Sequence, residues 1–404
     1  MDLLTKGIEI KAVIPNNTDK KLVIDNISQN YPVYKIRLDQ LYYNDQNDRI
    51  ATWISQYKID NNINHFDLSD IENYNNIIHD FITSSNPQAL KNTQNNIKLI
   101  GQQETGVVLS DGRIIDGNRR FTCLRNIEKE TGKTQYFEAI ILDHSIENNA
   151  KQIKMLELML QHGVDEKIGY NPIDRLVGIY NDIIETKLLT VEEYANSVNQ
   201  TPAEIKVEIE KANLLVDFLD FINSPKHFYL ARTMNITESL KDLHVMLKKV
   251  KDDDKREDLK NIVFAELLMQ PVGDMNRYIR KIKKIVDSNK FFNNFIDEQT
   301  VIVEKVCDEL EKFPKVTNKE IAKIRTNEEI KRDFKHSTEI FINKVDSDTT
   351  RSQPVKQVEK AYDSLDLIDT NIFKKISTEQ KDDIQEKLDM INEIVSNIRR
   401  ELNV

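Results

Sequence analysis

The sequence predicts an α+β protein: a small mixed-sheet N-terminal domain followed by a long all-α region. Three observations carry that expectation. Up to residue 146, short runs of strand character alternate with helix-period segments. After Ile146 the strand signal fades and apolar residues step by three and four. The chain is 404 residues long, more than one ordinary core serves, so two to four domains are expected. The divisions read as 1–146, 147–225, 226–345 and 346–404.

Val33 to Leu38 alternates at period two and reads as a strand. Trp53 to Tyr57 and Ile71 to Ile82 read as helices. Val107 to Leu109 and Arg113 to Ile115 flank Asp111-Gly112. That is a hairpin signal, because Asp-Gly accepts the positive φ angles of a tight turn. Phe137 to Leu142 reads as a further, more buried strand.

Beyond Ile146, Glu147 to Gln161 is amphipathic, and Pro172 after Asn171 marks a new helix start. Two helices across Asn199-Gln200-Thr201-Pro202 suggest a helix-turn-helix. Helix periodicity from Glu238 to Lys290 breaks at Gln270 to Asp274. Ser377 and Gln380 form a capping box. Ile384, Leu388, Ile391, Val395, Ile398 and Leu402 then step by four and three, the spacing of a heptad seam. With Val355, Val358, Tyr362 and Leu365 upstream, a helical hairpin or a dimerising coil is expected. The polar run Asp346 to Pro354 reads as a linker.

The net charge of −10, from 57 basic and 67 acidic residues, argues against a broad non-specific grip on nucleic acid but leaves room for a local basic groove. Cys123 and Cys307 form no disulfide framework. No His/Cys/Asp group has metal-ligand spacing, and the metal is left unknown. No apolar run approaches a membrane span, and the first residues have no leader pattern. A cytoplasmic protein without membrane contact is expected.

Four arginines crowd SDGRIIDGNRRFTCLR, residues 110–125. A strand enters the turn at Asp116-Gly117, where a helix begins. A helix start exposes unpaired N–H groups and partial positive charge. Gly117 lets backbone approach a ligand, and Arg119 and Arg120 offer planar forks for phosphate oxygens. Together they make an anion cradle, suited to a di- or triphosphate. The plainer alternative is that the arginines pair with acidic neighbours on a solvated face.

The motif resembles the ParB family, within the wider ParB/sulfiredoxin fold. Tyr34 to Arg49 is similar to the family's first box, Gly117 to Cys123 to the second, and Leu158 to Pro172 to the third, all in the family's order. The helix pair after Leu189 stands where the family keeps its helix-turn-helix. The resemblance spans roughly residues 30–220 and implies a nucleotide site at Gly117, Asn118, Arg119 and Arg120, with Arg49 close by. In the family, CTP and magnesium drive closure of a dimer that clamps DNA; related members use ATP, cut nucleic acid or act as kinases. The third box departs from the pattern. Leu158 and Met159 stand where an acidic residue and an amide serve metal and triphosphate, and His162 replaces an arginine. Magnesium needs such hard oxygen ligands, so hydrolysis is disfavoured while binding is still expected. Asn118 stands where sulfiredoxin has its reactive cysteine; Cys123 reads as a buried small residue.

The second helix of the pair carries Glu204, Glu208 and Glu210, which phosphates would repel. A packing or partner-binding role weighs evenly there. Arg277, Arg280, Lys281 and Lys284 fall near one helix face that could track a phosphate backbone; a solvated face is the simpler reading. His162, His227 and His244 read as surface or packing residues.

Three functions are expected, in order. The first is a ParB-like protein that binds CTP or ATP, with Mg2+, associates with DNA and forms a homodimer through its C-terminal helices, in plasmid partition, mobile-element maintenance or antiphage defence. The second is a ParB-fold ATPase or nuclease using Asp116 and Glu157 as metal carboxylates. The third is a non-catalytic adaptor that recruits a protein partner.

Overall fold

The structure is a computed structural model that describes residues 2–24, 27–142, 146–162 and 171–402. It is an α+β protein with a five-stranded mixed sheet and many helices. The chain divides into two compact units, Met1–Ile342 and Asn343–Val404.

The sheet contains β1 (Val13–Ile24), β2 (Ile27–Arg37), β3 (Gly106–Leu109), β4 (Ile114–Asp116) and β5 (Tyr136–Leu142) in the order β1-β2-β5-β3-β4. Among the described strands, β3 and β5 pair in parallel and the other neighbours are antiparallel. The apolar run of β5 explains its central place, since a strand with neighbours on both sides is covered on both faces. The Asp111-Gly112 hairpin forms as expected, with Gly112 at φ 96°. A Cβ on Gly112 would lie 2.3 Å from the Gln40 carbonyl oxygen, so the close approach of residues 40–42 demands glycine.

Helices α1 (Ala51–Asp60), α2 (Ile71–Ser85), α3 (Pro87–Ile100) and α4 (Asn118–Thr131) accompany the sheet. One core joins Ile36, Val108, Ile114 and Phe137 of the sheet to Ile54, Ile78, Phe121 and Leu124 of the helices. Helix α5 (Ile146–His162) closes a second core, setting Ile153, Leu156 and Leu160 against Val107, Ile115 and Ile140. The sheet therefore has apolar cover on both faces.

The chain continues through α6 (Pro172–Ile179), a π-helical turn at Tyr180–Glu185, α7 (Val191–Ser197) and α8 (Pro202–Phe221). Asn171 caps α6, with Pro172 in its first turn, as the dipeptide predicts. Both α7 and α8 start with capping boxes, Thr190/Glu193 and Thr201/Glu204. Leu158, in the third stretch, is fully buried against Ile179, Leu189, Tyr194 and Ile205. Residues 163–170 of that stretch, and the His162 side chain, lie outside the described residues.

Helices α9 (Phe228–Met234), α10 (Thr237–Leu247), α11 (Asp253–Met269), α12 (Met275–Val286), α13 (Phe292–Glu311) and α14 (Asn318–Ile324) follow. Next come α15 (Glu328–Asp366) and α16 (Thr378–Glu401). The expected linker at Asp346 to Pro354 is instead helical, inside α15. That run has no glycine, and the Thr350 and Ser352 hydroxyls donate to carbonyls of the preceding turn, so these polar side chains are satisfied within the helix. The capping box of Ser377 and Gln380 is present at the start of α16.

Candidate functional site

Gly117 is the N-cap of α4 at φ 106° and offers no side chain to its first turn. The first N–H groups of a helix lack intrahelical partners, and here no cap serves them. A Cβ on Gly117 would meet the Phe137 ring at 2.7 Å, so packing and backbone conformation both require glycine.

Three of the four arginines of this motif have acceptors inside the protein. Arg113 is buried and donates through Nε and Nη2 to Asn44 Oδ1, at 3.1 and 2.6 Å. Arg125 donates to the Asn75 carbonyl and to Asn76, with its guanidinium over the Tyr43 and Phe121 rings. Arg120, expected at the phosphates, instead turns back to Asp116 at 2.8 Å and to the Glu104 carbonyl at 2.6 Å. It clamps the strand end to the segment before β3.

Arg119 is the exception. It is half-buried, and among the described residues it has no hydrogen-bond acceptor or carboxylate partner. Burial lowers its pKa, and the like-charged Arg49 lowers it further. Arg49 sits in the short helical turn Asp48–Ile50, whose cap is Asn47. Asn118 is buried beside Arg119, and its Oδ1 has no hydrogen-bond partner. Arg119 and Asn118 thus follow Gly117 with Arg49 in electrostatic reach, while the Arg120 guanidinium packs against Gly117 and is held by Asp116 and the Glu104 carbonyl.

A second polar constellation lies deeper. Lys154 of α5 is 4% exposed, and its Nζ stands 2.7 Å from Asp48, 3.4 Å from Asp182 and 3.0 Å from the Gln46 carbonyl. Glu157 is 3.8 Å away and accepts from Gln161 at 2.8 Å. Burial pulls the Lys154 ammonium down, but Asp48, Glu157 and Asp182 outweigh it and hold its pKa well above the ordinary range. Burial pushes both Glu157 and Asp182 up to about 7, against the pull of Lys154. Asp182 enters from the π-helical turn, a distortion often found at functional sites. The Asp48 carboxylate packs on Gly178, where a Cβ would lie 2.5 Å from it.

The proposed metal carboxylates are not grouped. Asp116 is held by Arg120, whereas the ionised groups acting on Glu157 are Lys154, Asp48 and Arg113. Among the described residues no cluster of His, Cys, Asp or Glu could hold a metal ion. Lys154 occupies the centre of the acidic cage. Cys123 is buried, and burial pushes its thiol up to about 12, far from a reactive thiolate.

In α8, Glu204 caps its own helix, Glu208 pairs with Lys211, and Glu210 meets His244 and Lys248. His227 and His244 are both buried. In α12, Tyr278, Ile279, Ile282 and Ile285 are buried while Arg277, Arg280, Lys281 and Lys284 are exposed. Arg280 lies 3.4 Å from Asp242.

No family model matches the chain, and no curated protein matches it. Among the described residues, no helix is long and apolar enough to cross a membrane.

Sequence reasoning missed the cage. Lys154 reads as an ordinary polar position of an amphipathic helix, and two of its three carboxylate partners lie 106 and 28 residues away. The one local signal is that Lys154 falls between Ile153 and Leu156, on the side of α5 that the apolar pattern buries.

Proposed function

We propose that this is a ParB-like protein of the ParB/sulfiredoxin fold that binds a nucleoside triphosphate, CTP or ATP, at the start of α4. The observation that carries the reading is Arg119, half-buried at the start of α4 with no acceptor among the described residues. A guanidinium taken partly out of water without an acceptor is unfavourable, and an anion there removes that penalty. The uncapped N–H groups after Gly117 point the same way. Arg120 serves the site indirectly, by fixing the strand-to-helix turn. Mg2+ would arrive on the phosphate oxygens of the nucleotide. Burial of Leu158 removes the family's acidic position, so the reading is a binding switch rather than a hydrolase.

DNA association belongs to the same proposal, through the exposed Arg277, Arg280, Lys281 and Lys284 of α12. A homodimer through the C-terminal helices completes it.

Isothermal titration of CTP and of ATP into the whole protein tests the reading. Binding is expected for at least one of them, weakening steeply with salt and lost in Arg119→Ala. Heat from neither nucleotide, with or without Mg2+, removes the nucleotide site; equal binding by Arg119→Ala removes the assignment.

A further inference from the structure

We propose a second small-molecule site, separate from the start of α4, in the cavity that Arg113 lines. It takes a compact, neutral aromatic ligand that offers one oxygen acceptor, a carbonyl or a hydroxyl, to the Arg113 guanidinium. The cavity measures about 390 Å³, within the size range of ligand pockets. Its largely apolar walls include Tyr42, Tyr43, Leu68, Tyr74, Ile153 and Leu188. The three tyrosine hydroxyls are engaged: Tyr42 donates to Asp111 at 2.8 Å, Tyr74 to the Tyr43 carbonyl at 3.0 Å, and Tyr43 shares a hydrogen bond with Thr122 at 2.8 Å. They therefore offer ring surface rather than hydrogen bonds.

The unmet group on this wall is a donor. Arg113 is 8% exposed, and a guanidinium has five N–H groups to place. Among the described residues its acceptor is Asn44 Oδ1, which takes Nε and Nη2 and also the Gln46 N–H at 3.0 Å. No carboxylate pairs with it among those residues. Nη1 has no acceptor, and it is not sealed from water, so an oxygen in the cavity can meet it. A buried guanidinium short of acceptors is unfavourable, and a ligand oxygen relieves that.

Charge decides that the ligand is neutral. Arg113 and Lys154 are cationic; Asp48 offsets one of them, and Glu157 and Asp182, both raised to about 7, offset the other while they share a proton. These buried groups balance. The half-buried Asp45 and Asp111 stand by the tyrosine wall, where an anionic ligand would meet their like charge. A cationic head would instead face the Arg113 guanidinium.

The probes are benzamide, toluene, benzoate and benzamidine, titrated into the full chain at about pH 7 and followed by ligand-observed NMR. Benzamide should bind about tenfold more tightly than toluene, the gain expected from one hydrogen bond to a charged donor, and about tenfold more tightly than either charged analogue. Arg113→Met should bring benzamide to within about twofold of toluene. Leu68→Trp changes a wall residue that is 49% exposed and should weaken benzamide and toluene alike, by about tenfold or more. That variant and the comparison of probes on the unaltered chain keep the test in force if Arg113→Met does not fold. Equal affinity for benzamide and toluene overturns the Arg113 contact, and benzoate or benzamidine binding as tightly as benzamide overturns the neutral assignment. Absence of benzamide binding, or binding unchanged in Leu68→Trp, overturns the site. Displacement of benzamide by CTP or ATP overturns its separation from the start of α4. Failure of nucleotide binding at Arg119 leaves the benzamide outcomes as stated.

Discussion

Lys154 Nζ stands 2.7 Å from the Asp48 carboxylate, with both side chains out of water. The pair ties α5 to the turn that carries Arg49, and Asp182 extends it to the π-helical turn. Removing the Lys154 ammonium from three buried carboxylates leaves uncompensated charge. Lys154→Met should therefore cost about 3–5 kcal/mol in urea unfolding at neutral pH. A loss under 1 kcal/mol would show that water reaches the cage.

The same cage sets a pH dependence. Glu157 and Asp182 have folded-state pKa values raised to about 7, so the native state holds protons that the unfolded chain has released. The sign is that their contribution is fully present below the unfolded carboxylate range and is lost as pH rises through about 7. Urea midpoints should fall between about pH 5 and pH 8, and Glu157→Gln should flatten that slope.

Arg119 and Arg120 are adjacent in sequence but should behave oppositely. Arg120→Ala removes bonds to Asp116 and the Glu104 carbonyl and should destabilise by about 1–2 kcal/mol. Arg119→Ala removes a repelling partner of Arg49 and should leave the melting temperature unchanged or raised. Thermal melts of the two variants, set beside their nucleotide titrations, separate a scaffolding arginine from a binding one.

That contrast also shows where sequence reading stopped. The strand-to-helix turn at Gly117 was legible because it rests on local chemistry: a glycine, a following apolar period and a preceding apolar run. The partition of the arginines was not. Asn44, Asn75 and Glu104 are distant in sequence from the arginines they accept from, so only the fold reveals which guanidinium is left. Edge strand β1 was missed for a related reason. Its middle, Pro15 to Lys21, is polar, as suits a strand with one neighbour and a register shift between Pro15 and Asp19. Helix α3 had readable signals, the Asn86 cap and Pro87 in the first turn, that went unused.

Glu266 is fully buried in the helical region, with Tyr278 and Thr338 as its hydrogen-bond partners. Burial pushes it up to about 8, so the proton stays on in the native state. Ionising it above that pH is unfavourable, and stability should fall as pH rises through about 8. Glu266→Gln keeps the shape without the charge. It should be near neutral at about pH 5 and stabilise by roughly 3 kcal/mol at about pH 9, measured by paired urea unfolding curves.

The last prediction concerns α16, in the second compact unit. None of its residues is buried. Within its seam, Leu388 is 37% exposed and Leu402 65% exposed, and Val395 and Ile398 are exposed as well. A continuous apolar stripe at heptad spacing is unfavourable in water and is relieved by another helix. A second copy of this chain fits, because the start of α16 carries more acid than base (Glu379, Asp382, Asp383 and Glu386 against Lys381 and Lys387) and its last turn carries Arg399 and Arg400. Antiparallel association sets these ends against each other. Sedimentation equilibrium should therefore find a dimer whose dissociation constant rises with salt. Leu388→Asp with Val395→Asp should give a monomer with the fold of the first unit intact by circular dichroism. A wild-type chain that stays monomeric at about 100 µM would leave the seam to a different partner and withdraw the homodimer.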